Sequence, residues 1–199
     1  MNLYILKFKG HFAFIKPWTA VRDEKTFSQQ FLTPSMVIGM EKKLFPELLQ
    51  LDYDLPQKIV RHRLIYSGVV EQQEQTQTRG WNKKGRGSNA SAERPRSILT
   101  RGVLLYPELY LAFASAEDAA RAAEQHICLA RNEDLMFPDG EPNEVEEEIF
   151  NSDGDQFPGI ELLFQQGEGA FLVGYNRFAD GKPMYGKMHI TKIPNVLSF

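Results

Sequence analysis

Cysteine is almost missing from these 199 residues: Cys128 stands alone. No disulfide can form within the chain, so the fold is expected to rest on a packed core, and the scarcity points to a reducing, cytoplasmic compartment. Long apolar runs are missing too. None approaches the roughly 20 residues that a helix needs to cross a bilayer, so no membrane is expected among the partners. The opening segment MNLYILKFKGHF is broken by Lys7 and Lys9 and followed by no small-residue cleavage site, so it is not expected to act as a secretory leader. Histidine is sparse: four scattered His and one Cys make no zinc-ligand spacing. The sequence also lacks a phosphate-binding P-loop and a Ser-His-Asp set with a nucleophile elbow. The acidic run Glu144 to Glu148 reads as a hydrated loop rather than a metal site. Asn151-Ser-Asp-Gly-Asp155 lacks the twelve-residue pattern of an EF-hand. No metal and no cofactor are expected.

Apolar residues are plentiful enough for a core. They make up 42% of the chain, with 14 Phe and two Trp, and this length suits one domain. The net charge of −3 conceals a strong asymmetry. Between Arg79 and Arg101 seven basic residues face one acid, Glu93; between Asn132 and Glu161 there are eleven acids and no base. A polyanion responds to the field within about a Debye length, roughly 8 Å, so the local excess outweighs the whole-chain sign.

Residues 3–8 read as a first strand. Thr33-Pro34 reads as a helix start, with Thr33 capping and Pro34 at the first helical position. Met36, Met40 and Leu44 at i, i+4 and i+8, with Val37, give that helix an apolar face. Pro46 ends it. Residues 59–70 and 98–113 read as strands, the second divided or bulged at Pro107. Ser115 to Asp118 is a capping signature, and the alanine-rich run to Ala130 favours helix. Residues 160–164, 170–175 and 185–193 read as late strands, and the acidic stretch up to Pro158 as irregular. The predicted order is strand, helix, strand, strand, helix, strand. That is an α+β, ferredoxin-like (RRM-like) core with a long polar insertion after its second strand and a small C-terminal β extension. The core with its insertion at 71–97 is assigned to residues 1–130. Residues 131–199 supply the acidic loop and strands that complete or extend it.

The insertion carries the clearest chemistry. It holds almost nothing apolar except Trp81 and a few alanines, so it is expected to be flexible outside the core. Arg79, Lys83, Lys84 and Arg86 surround Trp81, and Arg94, Arg96 and Arg101 follow. Cations that meet phosphates beside an indole that stacks on an unpaired base suit single-stranded RNA. The bland alternative is a solvated hairpin whose Trp81 packs back on the domain. Lys16, Trp18 and Arg22 form a second basic-aromatic cluster, where Trp18 is equally well read as core. His62, between two arginines, reads as structural; His126 sits on the alanine-rich run, where packing is the usual role.

KGHFAFIKPWTAV at residues 9–21 and FLTPSMVIGMEKKLF at 31–45 resemble the N-terminal half of the CRISPR-associated Cas-five family, RAMP-superfamily subunits of guide-RNA complexes. The shared features are an opening strand ending in Gly10, an aromatic and basic loop over Phe12–Trp18, and the helix start Thr33-Pro34-Ser35 leading to Gly39. RPRSILTRGVLLYPELYLAF also resembles the type I-C branch. The likeness runs over about residues 1–130. It implies a ferredoxin-like RAMP core and no obligatory cofactor. It implies prokaryotic cytoplasmic partners: the 5′ handle of the crRNA, a backbone subunit of the Cas-seven type, a large subunit, and target DNA near the protospacer-adjacent motif. Type I-C members also cut precursor crRNA with a Tyr, a Lys and a His. Here Phe45 stands at the Tyr position and Gln125-His126 at the Lys-His pair, which implies that RNA is bound, with His126 near it, but not cut. Two other readings stay open: a metal-independent endoribonuclease using His126, and a protein-interaction module in which the basic insertion meets an acidic partner.

Overall fold

The computed structural model describes residues 1–18, 24–77, 80–85, 87 and 90–193. Its strands are β1 (Asn2–Gly10), β2 (Phe12–Ala13), β3 (Lys25–Phe27), β4 (Ile59–Ile65), β5 (Gly68–Gln77), β6 (Asn82–Lys84), β7 (Ser91–Glu93), β8 (Arg96–Leu105), β9 (Glu108–Phe113), β10 (Ile127–Cys128), β11 (Leu135–Pro138), β12 (Asn143–Glu146), β13 (Ile160–Leu163), β14 (Phe171–Asn176) and β15 (Lys182–Ile190). Its α-helices are α1 (Pro34–Leu44), α2 (Ala116–Ala123) and α3 (Glu147–Ser152). None of the described helices is long and apolar enough to cross a membrane.

A nine-stranded sheet runs β10-β11-β1-β9-β4-β13-β15-β14, with β12 also on β1. Its centre, β11-β1-β9-β4, is antiparallel and has the ferredoxin-like order fourth, first, third, second. Both faces are covered, which explains why LYILKF and ELYLAF lack clean alternation. Leu6, Phe8, Leu109, Leu111 and Phe113 pack with Val37, Met40 and Leu44 of α1 and Ala119 and Ala122 of α2. Leu3, Ile5, Tyr110 and Ala112 pack with Val145, Phe150 and Phe157 on the other face.

Four sequence expectations are corrected. The acidic stretch is not irregular: β11 and β12 together form the fourth core strand, pairing with opposite ends of β1. Met136, Val145 and Phe150 point inward at intervals, and of the acids between Asn132 and Pro158 Asp134 alone is buried with them. The strands after residue 160 lie instead outside β4 and extend the sheet. The alanine-rich helix stops at Ala123, because Ile127 and Cys128 pair with Met136 and Leu135. Ser115 caps it as expected, accepting from the Asp118 amide at 3.4 Å. Thr33, by contrast, makes no side-chain cap and meets the Ser35 hydroxyl at 3.2 Å, while Pro34 does open the helix.

The insertion is the fourth. It forms a hairpin in which β5 and β8 pair from Gly68↔Leu105 out to Gln77↔Arg96, and β6 and β7 form its tip. Ladder hydrogen bonds need no apolar side chains, and Val103 and Leu104 anchor only the root in the core. β2 and β3 flank β8 in this second sheet. Pro107 and Tyr106, at φ 45°, turn the chain from β8 into β9.

Two buried carboxylates join distant segments. Glu41, fully buried on α1, accepts from the amides of Gln57 and Ile59 at 2.9 and 2.8 Å and from that of Lys58, which fixes the approach to β4. Glu161 on β13 accepts from Arg61 Nε and Nη2 at 2.6 and 2.8 Å, and Arg63 and His189 each approach within 3.6 Å. A β-bulge at Ile59/Arg61 turns these charges toward β13, which accounts for the broken alternation of VRHRL. His62 is buried beside them and stacks on Phe164 at 4.9 Å. Burial pushes its imidazole down to about 4, against the opposing pull of Glu161.

A folded-state value below the ordinary 6.5 means that the unfolded chain holds more protons between pH 4 and 6.5. Stability is therefore full above about pH 6.5 and falls as the pH drops toward 4, by up to about 3 kcal/mol from His62. Urea midpoints at pH 7 and pH 5 measure it. His62→Phe is expected to flatten the difference, and an equal slope in both proteins would remove His62 as its source.

Candidate nucleic-acid interface

The described residues enclose a groove of about 720 Å³ between α1, the root of the hairpin, the segment after β10 and the end of β14. Lys16, Lys43, Arg101, Arg131 and Arg177 line it with Glu74 and Glu133, a surplus of three positive charges. Met36, Met40 and Phe14 supply its apolar floor.

Its floor is fixed from below by Asp134. This fully buried carboxylate accepts from the Phe14 amide at 3.2 Å and from Arg131 Nη2 at 2.7 Å. Arg131 is thereby held 5.5 Å from the Phe14 ring, and Arg101 lies at the same distance from that ring. The Asp134 hydrogen bond also raises the Arg131 guanidinium above its ordinary value. Ser28 orders the same loop by accepting from the Ile15 amide at 2.9 Å. Arg101 is also 3.5 Å from Glu74, so both arginines are partly neutralised. Lys16, Lys43 and Arg177 have no carboxylate within 4 Å among the described residues. Lys43 donates to the His126 carbonyl, and Arg177 lies over the Phe178 ring at 4.8 Å. Their charge remains available to an anion.

The residues singled out in the sequence fall into three places. Lys16 and Arg101 enter the groove, and Trp18 reaches it through Tyr175, whose ring is 5.7 Å away. Trp81, Lys83, Lys84, Arg94 and Arg96 lie at or beyond the last β5–β8 pair. That is about 17 Å or more from Arg101 at 3.3 Å per residue. There the Arg94 guanidinium lies 4.4 Å over the Trp81 ring, and Lys84 pairs with Glu93. Lys83 and Arg96 are exposed. Arg22, Arg79 and Arg86 lie outside the described residues. His126 is exposed between α2 and β10, its ring 6.0 Å from Phe137, and is not among the described residues that line the groove.

Phe45 and Gln125 have other roles than RNA contact. Phe45 is fully buried, edge-on to Phe113 at 6.1 Å. Gln125 donates to the carbonyls of Leu44 and Arg121 at 3.0 and 3.3 Å.

Lys43, Arg131, Tyr175 and Arg177 escaped the sequence reading, which followed runs of basic residues. Each is isolated in the chain, and only tertiary packing brings them together. The one signal in reach is an Arg flanked closely by aromatics, as in Tyr175-Asn-Arg177-Phe178.

No protein-family model matches the sequence, and no curated protein matches it. Solved structures do match. One, a chain of a "CRISPR RNA-guided surveillance complex", covers 97% of this chain and 91% of its own length, with a TM-score of 0.52 and 12% identity. At that identity the likeness is one of fold, and it marks no particular branch of such proteins.

Proposed function

We propose that this chain is a Cas-five-like, non-catalytic subunit of a CRISPR RNA-guided surveillance complex, and that its groove grips the 5′ handle of the crRNA. The observation that carries the reading is the groove itself: three cations with no carboxylate within 4 Å among the described residues converge on it beside half-exposed aromatic rings, in a fold shared with a chain of such a complex. Phosphates and unpaired bases are the chemistry that this combination recognises. The basic hairpin then serves as an arm toward the backbone and large subunits and toward target DNA.

Cleavage at a 2′-hydroxyl needs a proton acceptor and a cation at the developing charge. Phe45 is buried and cannot transfer a proton, and Gln125 is neutral and occupied by backbone carbonyls. Another protein is thus required to mature the guide.

The test is co-expression with the neighbouring genes, purification through a tag on this chain, and sequencing of the small RNA that co-elutes. RNAs of uniform length that share one 5′ end are expected. Random fragments, or no RNA, would overturn the reading. Repeat RNA incubated with the purified chain in EDTA is expected to stay intact; a defined cut that disappears in His126→Ala would establish the endoribonuclease instead.

A further inference from the structure

Trp18 and Tyr175 come from opposite ends of the chain and meet at the rim of the groove. Their rings are 5.7 Å apart at 83°, so they form a corner. Each keeps about half of its surface in solvent: 49% for Trp18 and 56% for Tyr175. Two large aromatic surfaces left open at a cationic groove are unusual unless something covers them.

The corner is built into the backbone. Gly174 has φ +138°, at a β-bulge where the β14–β15 register shifts between Leu172 and Gly174. A Cβ there would sit 3.3 Å from Trp18 Cγ and 3.3 Å from Met184 Cε. Glycine therefore serves twice: it adopts the conformation, and it lets the indole lie against the strand. The bulge places Tyr175 on the groove, where Arg177 follows two residues later and Lys16 precedes Trp18 by two.

We infer that Trp18 and Tyr175 form a preorganised stacking platform for one unpaired base, with Lys16 and Arg177 on the flanking phosphates, so that the groove takes single-stranded RNA and rejects duplex. A base lying flat on one ring meets the other with its edge. A paired base has both faces covered by its neighbours and cannot enter such a corner without unstacking. The inference rests on the RNA reading of the groove and adds the form of RNA that it accepts.

The sequence holds only two Trp, so Trp81→Phe leaves Trp18 as the sole indole of the full-length chain. The probes are the 5′ segment of the RNA recovered in the purification above, as a single strand and annealed to its complement. Saturating single strand is expected to quench Trp18 emission, and the duplex to leave it unchanged. Tyr175→Leu, which keeps an apolar contact with Trp18 but no ring face, is expected to weaken single-strand binding about 5- to 150-fold, the range for losing one stacked base. Tyr175→Phe is expected to bind as the parent does. Tight binding with Trp18 emission unmoved and Tyr175→Leu unaffected would overturn the platform while leaving the groove reading intact. Equal quenching by duplex would overturn the single-strand preference. Failure to recover or bind any RNA would overturn the groove reading, and the platform with it.

Discussion

Exchanging Lys16, Lys43 and Arg177 together for alanine is expected to lower RNA affinity about a thousandfold at low salt. Each is a cation with no carboxylate within 4 Å among the described residues, on a different segment of the groove wall. A charge-assisted contact to phosphate contributes about 1.5 kcal/mol, and three of them sum to about three powers of ten. The salt dependence separates this from a general loss of fold. For single strands, each neutralised phosphate adds about 0.7 to the slope of log K against log salt, so the triple variant is expected to be shallower by about 2. A parallel variant at the hairpin tip, with Lys83 and Lys84 changed to alanine, makes the comparison sharper. Lys84 already pairs with Glu93, and both lie well away from the groove. Short RNA confined to the groove is expected to lose little affinity in that protein. An unchanged slope in the groove variant, with the loss falling in the tip variant, would move the RNA site onto the hairpin.

The same distribution of charge shows what a sequence can and cannot reveal. Local pattern was legible: β1, α1, β9 and the capped start of α2 follow from apolar spacing and from Ser115, and the polar stretch after β4 marks an insertion between the second and third core strands. Those signals lie within one element. The fourth core strand was hidden because its inward residues, Met136 and Val145, are a minority among acids, and because two short strands share the work of one. Glu41 was hidden for a related reason. In sequence it belongs to the polar face of a helix, and only the return of residues 57–59 over it turns it into a buried anchor. The groove was half legible. Lys16, Trp18 and Arg101 sit in basic or aromatic neighbourhoods, whereas Lys43, Arg131 and Arg177 acquire meaning only when α1, the β10–β11 turn and β14 converge. Asp134 counted as one more acid in a negative segment. Folded, it orders the loop on which Phe14 lies and holds Arg131 to it.

Glu161→Gln is expected to be the most destabilising conservative substitution in the protein. The carboxylate is 1% exposed and is chelated by Arg61, with Arg63, itself 0% exposed, at 3.6 Å. Arg63 is further held by the carbonyls of Phe150 and Phe157 at 2.8 and 2.6 Å and lies 4.1 Å from the Phe150 ring, so it cannot swing out to water. A neutral amide leaves Arg63 with no carboxylate within 4 Å among the described residues, facing an Arg61 whose remaining counter-charge is the partly exposed Glu147 at 3.3 Å. Breaking a buried pair in this way costs about 3–5 kcal/mol, a large share of the roughly 5–15 kcal/mol that holds a domain together. The urea midpoint is expected to fall with the m-value unchanged. Replacing Arg61, Arg63 and Glu161 together with Met, Met and Leu is expected to recover much of the loss, because no charge then remains to be desolvated. An unchanged midpoint in Glu161→Gln would show that water reaches the cluster. The consequence extends to the groove. In the register of the sheet, β4 joins β13 only at Leu64↔Ile160, and β15 and β14 hang from β13 in turn. The Arg61–Glu161 chelate bridges β4 and β13 beyond that single pair. Tyr175 and Arg177 stand at the end of this chain of strands, so a variant that stays folded at low temperature is still expected to bind RNA more weakly, through misplacement of two groove residues that the substitution never touches.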